Sequence, residues 1–117
     1  MAVSPLIVTL DGVWTESDGV WKSIGRSFSE LHLLAQALTD RPVKITLPGP
    51  VTIGNACADV HYGNDRKGRG ADIAEALNAE IKALADAGCR YVQIDEPGFA
   101  RSPEDALDFG FENLDRC

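Results

Sequence analysis

The run Arg90–Pro97, RYVQIDEP, constrains the fold of this chain more than any other stretch. Its aromatic and β-branched residues suit a strand, and Pro97 ends that strand because proline cannot donate a hydrogen bond to a sheet. The strand therefore carries Asp95 and Glu96 to its carboxyl end. Ligands of α/β folds bind at this edge of the sheet, so these two carboxylates are the first candidates for a binding site.

Asp95 and Glu96 are neighbours, yet the strand directs them to different places. Side chains alternate along a strand, so one carboxylate enters a central cavity while the other meets the surrounding helices or loops. Only one of the two is then well placed as a ligand. The alternative is that Asp-Glu-Pro forms a solvated turn, since Asp and Pro both favour turns.

The rest of the chain alternates between strand and helix patterns. Ser27 and Glu30 have the spacing of a capping box at a helix start, and Gly88 is a helix stop. This alternation is typical of an α/β fold with a parallel sheet and right-handed crossovers. The patterns predict strands over 6–10, 43–47 and 90–95, and helices over 28–39, 71–87 and 103–115.

Val13–Arg26 is harder to interpret. It forms either a hairpin, in which Val13-Trp14 pairs with Val20-Trp21 around Ser17–Gly19, or an irregular loop. The two tryptophans are more typical of core or interface anchoring than of an aromatic binding platform, because each ring buries a large area.

The middle of the chain contains two loop-like stretches and one short helix. Pro48-Gly49-Pro50 ends the second strand as sharply as Pro97 ends the third. Thr52 is a candidate cap for a helix over Ile53–Val60. Gly63–Gly70 lacks Walker spacing and a preceding strand, which favours a solvated connector over a phosphate loop. His61, just before it, is more typical of a structural or exposed histidine than of a catalytic one.

Composition narrows the partners. The 117 residues suit one domain, and 11 basic against 18 acidic residues give a net charge of −7. No basic cluster stands out, so neither nucleic acid nor an anionic membrane surface is expected as a partner. The start of the chain has no signal-like segment, and we expect a cytoplasmic location. Cys57, Cys89 and Cys117 match no disulfide or metal pattern, so free thiols and no metal site are predicted.

Two motifs give the chain a family resemblance. Leu47–Ile53 (LPGPVTI), then an alanine-rich helix, then Tyr91–Pro97 (YVQIDEP) resemble the catalytic C-terminal barrel of cobalamin-independent methionine synthase. The wider group includes the methionine-synthase-like and uroporphyrinogen-decarboxylase-like barrels. The resemblance covers residues 41–117, whereas residues 1–40 form a divergent N-terminal part of the same single domain.

The resemblance implies a partial (β/α)8 TIM barrel of about three βα units, because a whole barrel needs about 200 to 250 residues. It places the acid that binds the amino group of homocysteine on Asp95, with Glu96 as a weaker candidate for the substrate site. No catalytic residue is assigned. The family's folate-contacting glutamate has Arg101 in its place, and its pterin-contacting tryptophan has no aromatic counterpart in Gly54–Cys57.

The implied activity is methyl transfer to a thiol in methionine biosynthesis, without cobalamin and with zinc activating the thiol. The family's zinc ligands are absent from this sequence, and Cys117 is a poor candidate for one. The implied partners are a homocysteine-like thiol and a small methyl donor. We therefore expect a fragment of an S-methyltransferase that is inactive alone. Two alternatives are a zinc-dependent thiol alkyl-transferase with a non-folate donor and a non-catalytic truncated fragment.

Overall fold

The computed structural model describes residues 6–9, 12–18, 20–23 and 27–117. These residues form two sheets and a set of helices, in an α/β arrangement as predicted. The elements in chain order are β1 (Leu6–Thr9), β2 (Gly12–Ser17), β3 (Val20–Ser23), α1 (Phe28–Gln36), β4 (Lys44–Pro48), α2 (Pro50–Ala56), α3 (Arg66–Asp86), β5 (Tyr91–Asp95), α4 (Gly98–Arg101), α5 (Pro103–Asp105), a π-helical segment (Ala106–Gly110) and α6 (Phe111–Arg116).

The first strand differs from the prediction. β1 pairs antiparallel with β2, and β2 pairs antiparallel with β3, so the three strands form their own sheet. Thr9 pairs with Gly12, which leaves two residues for the connection, whereas a parallel crossover needs a dozen or more. The parallel sheet of the described residues therefore contains two strands and not three. The hairpin alternative is confirmed over β2 and β3, but its predicted pairing is wrong, because Val20 lies opposite Ser17 and Trp21 lies opposite Glu16.

β4 and β5 are the strands that the sequence predicted most clearly. They pair in parallel, from Lys44 opposite Tyr91 to Pro48 opposite Asp95. On their inner face, Leu47 of β4 forms a buried cluster with Leu84 and Cys89, and Ile45 and Val92 pack against this cluster. Because the two strands end in register, Pro48-Gly49-Pro50 and the Asp-Glu-Pro motif meet at the same edge of the sheet.

Helix α1 begins at the predicted capping box. Ser27 Oγ accepts from the backbone N–H of Glu30 at 3.3 Å, and Glu30 Oε2 accepts from the backbone N–H of Ser27 at 3.1 Å. The helix ends at Gln36, three residues earlier than predicted. The amide of Gln36 donates to two carbonyls, at Thr39 and Arg41, and accepts from the N–H of Val43, so it stabilises the turn into β4.

Helix α3 begins five residues before its predicted start. Gly63–Gly70 is therefore not wholly a connector, since its second half is helical. Asp65 caps the helix by accepting from the N–H of Gly68 at 2.9 Å, which offsets the poor helix propensity of glycine. Gly70 is buried against α6. A Cβ there would lie 2.8 Å from Asn113 Nδ2, so the glycine permits the close approach of α3 and α6.

Two shorter helical predictions also shift. α2 begins at Pro50 rather than after Thr52, since proline is well suited to the first helical position. The predicted helix over 103–115 extends to Arg116 but is interrupted by the π-helical segment. Ser102 makes no side-chain cap for it, because its hydroxyl accepts from Asn55 Nδ2 instead.

Candidate active site

The outer face of the β4–β5 pair is an open polar surface. On this face Lys44 lies opposite Tyr91, Thr46 opposite Gln93 and Pro48 opposite Asp95. All six residues are exposed. The residues between them point to the opposite face, where Leu47 is fully buried. We refer to Lys44, Thr46, Gln93 and Asp95 as the open face. Asp95 lies at its carboxyl end, where ligands of parallel α/β sheets bind.

Asp95 is held in place by two residues of the open face. Gln93 Nε2 donates to Asp95 Oδ1 at 2.6 Å, and Lys44 Nζ donates to Gln93 Oε1 at 2.6 Å. Because lysine can only donate, it fixes which end of the Gln93 amide faces Asp95. Among the described residues, none donates to Asp95 Oδ2. One carboxylate oxygen is thus oriented by the protein and the other is available to a cation.

Glu96 takes the opposite direction, as the alternation predicted. Its Oε2 accepts from the backbone N–H of Val51 at 2.9 Å, and its Oε1 accepts from the backbone N–H of Thr52 at 2.7 Å. These amides lie in the first turn of α2, where backbone N–H groups lack helical partners. Both oxygens of Glu96 are therefore engaged by α2, which leaves Asp95 as the better candidate ligand.

Two further contacts join the loops that follow β4 and β5. The N–H of Gly49 donates to the carbonyl of Asp95 at 2.8 Å, and the N–H of Gly98 donates to Thr52 Oγ1 at 2.9 Å. The sequence marks Thr52 as a candidate helix cap, whereas in the structure its hydroxyl accepts from the N–H of Gly98. The two motifs that carry the resemblance are thus physically joined at the edge that holds Asp95.

A polar network that the sequence did not reveal lies beside these loops. Arg66 forms an ion pair with Asp105 and donates to Asn55 Oδ1 at 2.9 Å, and Asn55 Nδ2 donates to Ser102 Oγ at 3.1 Å. An open cavity of about 280 Å³ lies between Arg66, exposed Arg101 and Ser102–Asp105. The partners lie 11 to 47 positions apart in the chain, so no local spacing signals them.

The sequence model of one protein family, described as "Cobalamin-independent synthase, Catalytic domain", matches residues 18–107. The chain belongs to this family. The match begins well before residue 41, so family similarity extends into the N-terminal part that the motifs alone had left unassigned.

Individual relatives agree with this assignment. The chain is 43% identical over 75 residues to a methionine synthase of Saccharolobus solfataricus, covering 64% of the chain and 22% of that protein. It is 48% identical over 67 residues to a 5-methyltetrahydropteroyltriglutamate–homocysteine methyltransferase of Thermotoga sp. strain RQ2, covering 56% of the chain and 9% of that protein. The chain thus spans less than a quarter of the length of either relative.

A solved structure extends the similarity to nearly the whole chain. The B12-independent methionine synthase from Shewanella sp. W3-18-1, determined in complex with selenomethionine, matches with a TM-score of 0.73 and 28% identity. The match covers 97% of this chain and 34% of the synthase chain. The fold of that synthase thus matches nearly the whole of this chain.

The zinc that the family resemblance implies does not fit the residues described in the structure. All three cysteines and both histidines lie within 27–117, and no three His, Cys, Asp or Glu side chains of the described residues converge on a common point. Cys89 is buried, with its Sγ 3.4 Å from the carbonyl of Tyr91. Burial raises the pKa of the Cys117 thiol, which disfavours the thiolate that metal binding requires.

We therefore expect this chain alone to bind no zinc tightly. A tetrahedral zinc site needs several convergent donors, and Cys57, Cys89 and Cys117 lie just past the ends of three different helices, α2, α3 and α6. Zinc loaded in excess should be lost on dialysis against a mild chelator, as measured by elemental analysis. Stoichiometric zinc that survives dialysis would contradict this expectation, and alanine variants of the three cysteines would then identify the ligand.

His61 lies in an exposed loop that a neighbouring aspartate organises. Asp59 accepts from the backbone amides of His61, Tyr62 and Asn64, and the amides of Tyr62 and Asn64 hold the pKa of the Asp59 carboxyl below its usual value. The His61 ring packs edge-on against Tyr62, with centroids 5.0 Å apart. These contacts account for the segment as a folded loop, and they bring no described acid or thiol to His61 as a catalytic partner.

Proposed function

We propose that this chain supplies the amine-binding carboxylate of an enzyme that transfers a methyl group to the thiol of homocysteine. The observation that carries the proposal is the position of Asp95, which is exposed at the carboxyl end of β5 with Oδ1 oriented by Gln93. A carboxylate held this way is suited to a charge-assisted hydrogen bond with a substrate ammonium. The names of the relatives, a methionine synthase and a homocysteine methyltransferase, support the same substrate.

The proposed roles of the chain's own residues are binding and orientation. Asp95 receives the ammonium, and Gln93 and Lys44 keep the carboxylate from rotating. When the ammonium of homocysteine is bound to Asp95, its thiol is confined to a small region of the open face. Confining a reacting group in this way lowers the activation barrier for its reaction. Zinc would activate the thiol when bound. Because the residues that the structure describes do not form its site, no step is assigned to the metal here.

The proposal includes the fold and the cellular setting of the whole enzyme. We infer that β4 and β5 are neighbouring strands of a (β/α)8 barrel whose interior faces the open face. The exposed polar side chains of the pair support this, because they form a poor surface for packing against helices.

Among the helices that the structure describes, none has the length and apolar character that crossing a bilayer requires. The free cysteines support a reducing compartment such as the cytoplasm.

For the methyl donor, only its chemical class is proposed. The Thermotoga relative is named for a methyltetrahydropteroyltriglutamate donor, and we propose a donor of that kind. A non-folate donor is the second candidate, favoured by two observations at the joined loops. Arg101 is exposed on α4, at the position where the family resemblance places an acid. Asn55, in the stretch where the resemblance places an aromatic residue, forms hydrogen bonds with Arg66 and Ser102 instead. Methyl-transfer assays with each donor class would separate them.

Binding of homocysteine tests the proposal directly. We expect L-homocysteine to shift the NMR signals of the Gln93 side-chain amide and the Asp95 backbone when titrated into the chain. The analogue 4-sulfanylbutanoate, which lacks the amino group, should bind at least about tenfold more weakly, because it loses a charge-assisted hydrogen bond. Equal affinities for the two thiols, or shifts confined to residues away from the open face, would contradict the assignment of Asp95.

A further inference from the structure

Glu96 stands at the centre of a set of contacts that joins the two loops. Four hydrogen bonds cross between them: two from the first turn of α2 to Glu96, one from Gly98 to Thr52, and one from Gly49 to the carbonyl of Asp95. We call the six residues that make these contacts the rim clamp. Its members besides Asp95 are Gly49, Val51, Thr52, Glu96 and Gly98.

The clamp is packed so closely that two of its positions have no room for a side chain. A Cβ on Gly49 would overlap the carboxyl carbon of Glu96, and a Cβ on Gly98 would lie 2.9 Å from the backbone nitrogen of Thr52. Both separations are far shorter than a van der Waals contact between heavy atoms. The Glu96 carboxylate therefore lies directly against the backbone of the loop that follows β4.

We propose that Glu96 is a positioning residue, which fixes the end of β5 so that Asp95 presents its carboxylate to the substrate ammonium. This rests on the proposed function. Glu96 follows Asp95 directly, and the carbonyl of Asp95 is the acceptor for Gly49 in the same clamp. The peptide that joins the two acids is thus held on both sides. Since side chains alternate along a strand, the orientation of that peptide determines where Asp95 points.

The chemistry of the contact requires a carboxylate. Two backbone N–H groups point at the two oxygens of Glu96, at 2.9 Å from Val51 and 2.7 Å from Thr52. Glutamine has the same shape but only one acceptor oxygen, so its NH2 group faces one of the two N–H donors. Glu96→Gln therefore leaves one amide of the clamp without an acceptor and pushes the loops apart, with little change in side-chain volume.

The test is a double-mutant cycle with two ligands. We expect Glu96→Gln to weaken L-homocysteine binding by about tenfold, because small displacements of a binding group are costly. It should leave the weak affinity for 4-sulfanylbutanoate unchanged. In the Asp95→Asn background the same substitution should have no further effect, since Glu96 acts through Asp95. Ile81→Val, a mild truncation near the core, is the control for a general loss of stability.

Each alternative role predicts a different outcome of this cycle. If Glu96 contacts substrate itself, its effect persists in the Asp95→Asn background. If Glu96 only stabilises α2, then Glu96→Gln and Ile81→Val lower the melting temperature and leave homocysteine affinity unchanged well below it. Either result would overturn the positioning role.

A measurement without substrate keeps this inference separate from the proposed function. In Glu96→Gln, the amide protons of Val51 and Thr52 should exchange with solvent faster than in the parent, by about tenfold or more, and the Asp95 and Gln93 signals should shift. Unchanged exchange and unchanged Asp95 signals would overturn the positioning role even if homocysteine binds. If homocysteine fails to bind but these signals change, the clamp positions Asp95 and the proposed substrate is wrong.

Discussion

Replacing Asp95 with asparagine is expected to weaken the binding of L-homocysteine by about ten- to a hundredfold. Asparagine keeps the shape of the side chain and removes its charge, and a hydrogen bond between charged partners contributes about 1.5 to 3 kcal/mol. Asp95 is exposed, so the free energy of unfolding should change by less than about 0.5 kcal/mol. Isothermal titration with L-homocysteine and a denaturant melt of both proteins measure the two quantities.

The matched control for this substitution is Asp108→Asn. Asp108 is also exposed but lies in the π-helical segment, away from the open face. The Asp108→Asn substitution removes the same charge from the protein, so it reports any effect of net charge on binding. We expect its homocysteine affinity to equal that of the parent protein. If Asp95→Asn retains full affinity while Glu96→Gln abolishes binding, the family alignment at this motif is wrong by a residue or altogether.

The parts of the fold that the sequence predicted are those with strong local patterns. β4 and β5 each end at a proline-containing motif, and α3 carries a regular apolar stripe, which includes the buried Leu77 and Leu84. The divergence of Asp95 and Glu96 follows from strand alternation alone. These features needed no knowledge of distant partners, because side-chain periodicity and backbone chemistry determine them locally.

The parts that the sequence did not predict depend on pairing between distant residues. The sequence of β1 alone does not distinguish parallel from antiparallel pairing. The two-residue connection to β2 indicates antiparallel pairing, but only once β2 is recognised as a strand. The start of α3 differs from the prediction because glycines weaken the helical pattern of its first turn, which Asp65 caps. The partners of Glu96 lie 44 and 45 positions earlier in the chain, so its role required the structure.

Gly98→Ala is expected to lower the free energy of unfolding by about 1 to 3 kcal/mol, which is the usual cost of forcing extra volume into a packed site. The new methyl group would lie 2.9 Å from the backbone nitrogen of Thr52, its hydroxyl oxygen and a methyl carbon of Val51. Of these, the nitrogen cannot move without shifting the first turn of α2. Relief of the clash therefore lengthens the hydrogen bonds from α2 to Glu96.

Gly54→Ala is the matched control, because it adds the same methyl group to α2 itself. The nearest atoms there are 3.6 and 3.7 Å away, on the side chains of Arg69 and Ile73, which is ordinary contact. Alanine is a better helix former than glycine, so this variant should gain about 0.5 to 1 kcal/mol. Urea unfolding of the two variants should thus shift the midpoint in opposite directions. If Gly98→Ala is as stable as the parent, the two loops do not approach as closely as described, and a rim clamp centred on Glu96 is untenable.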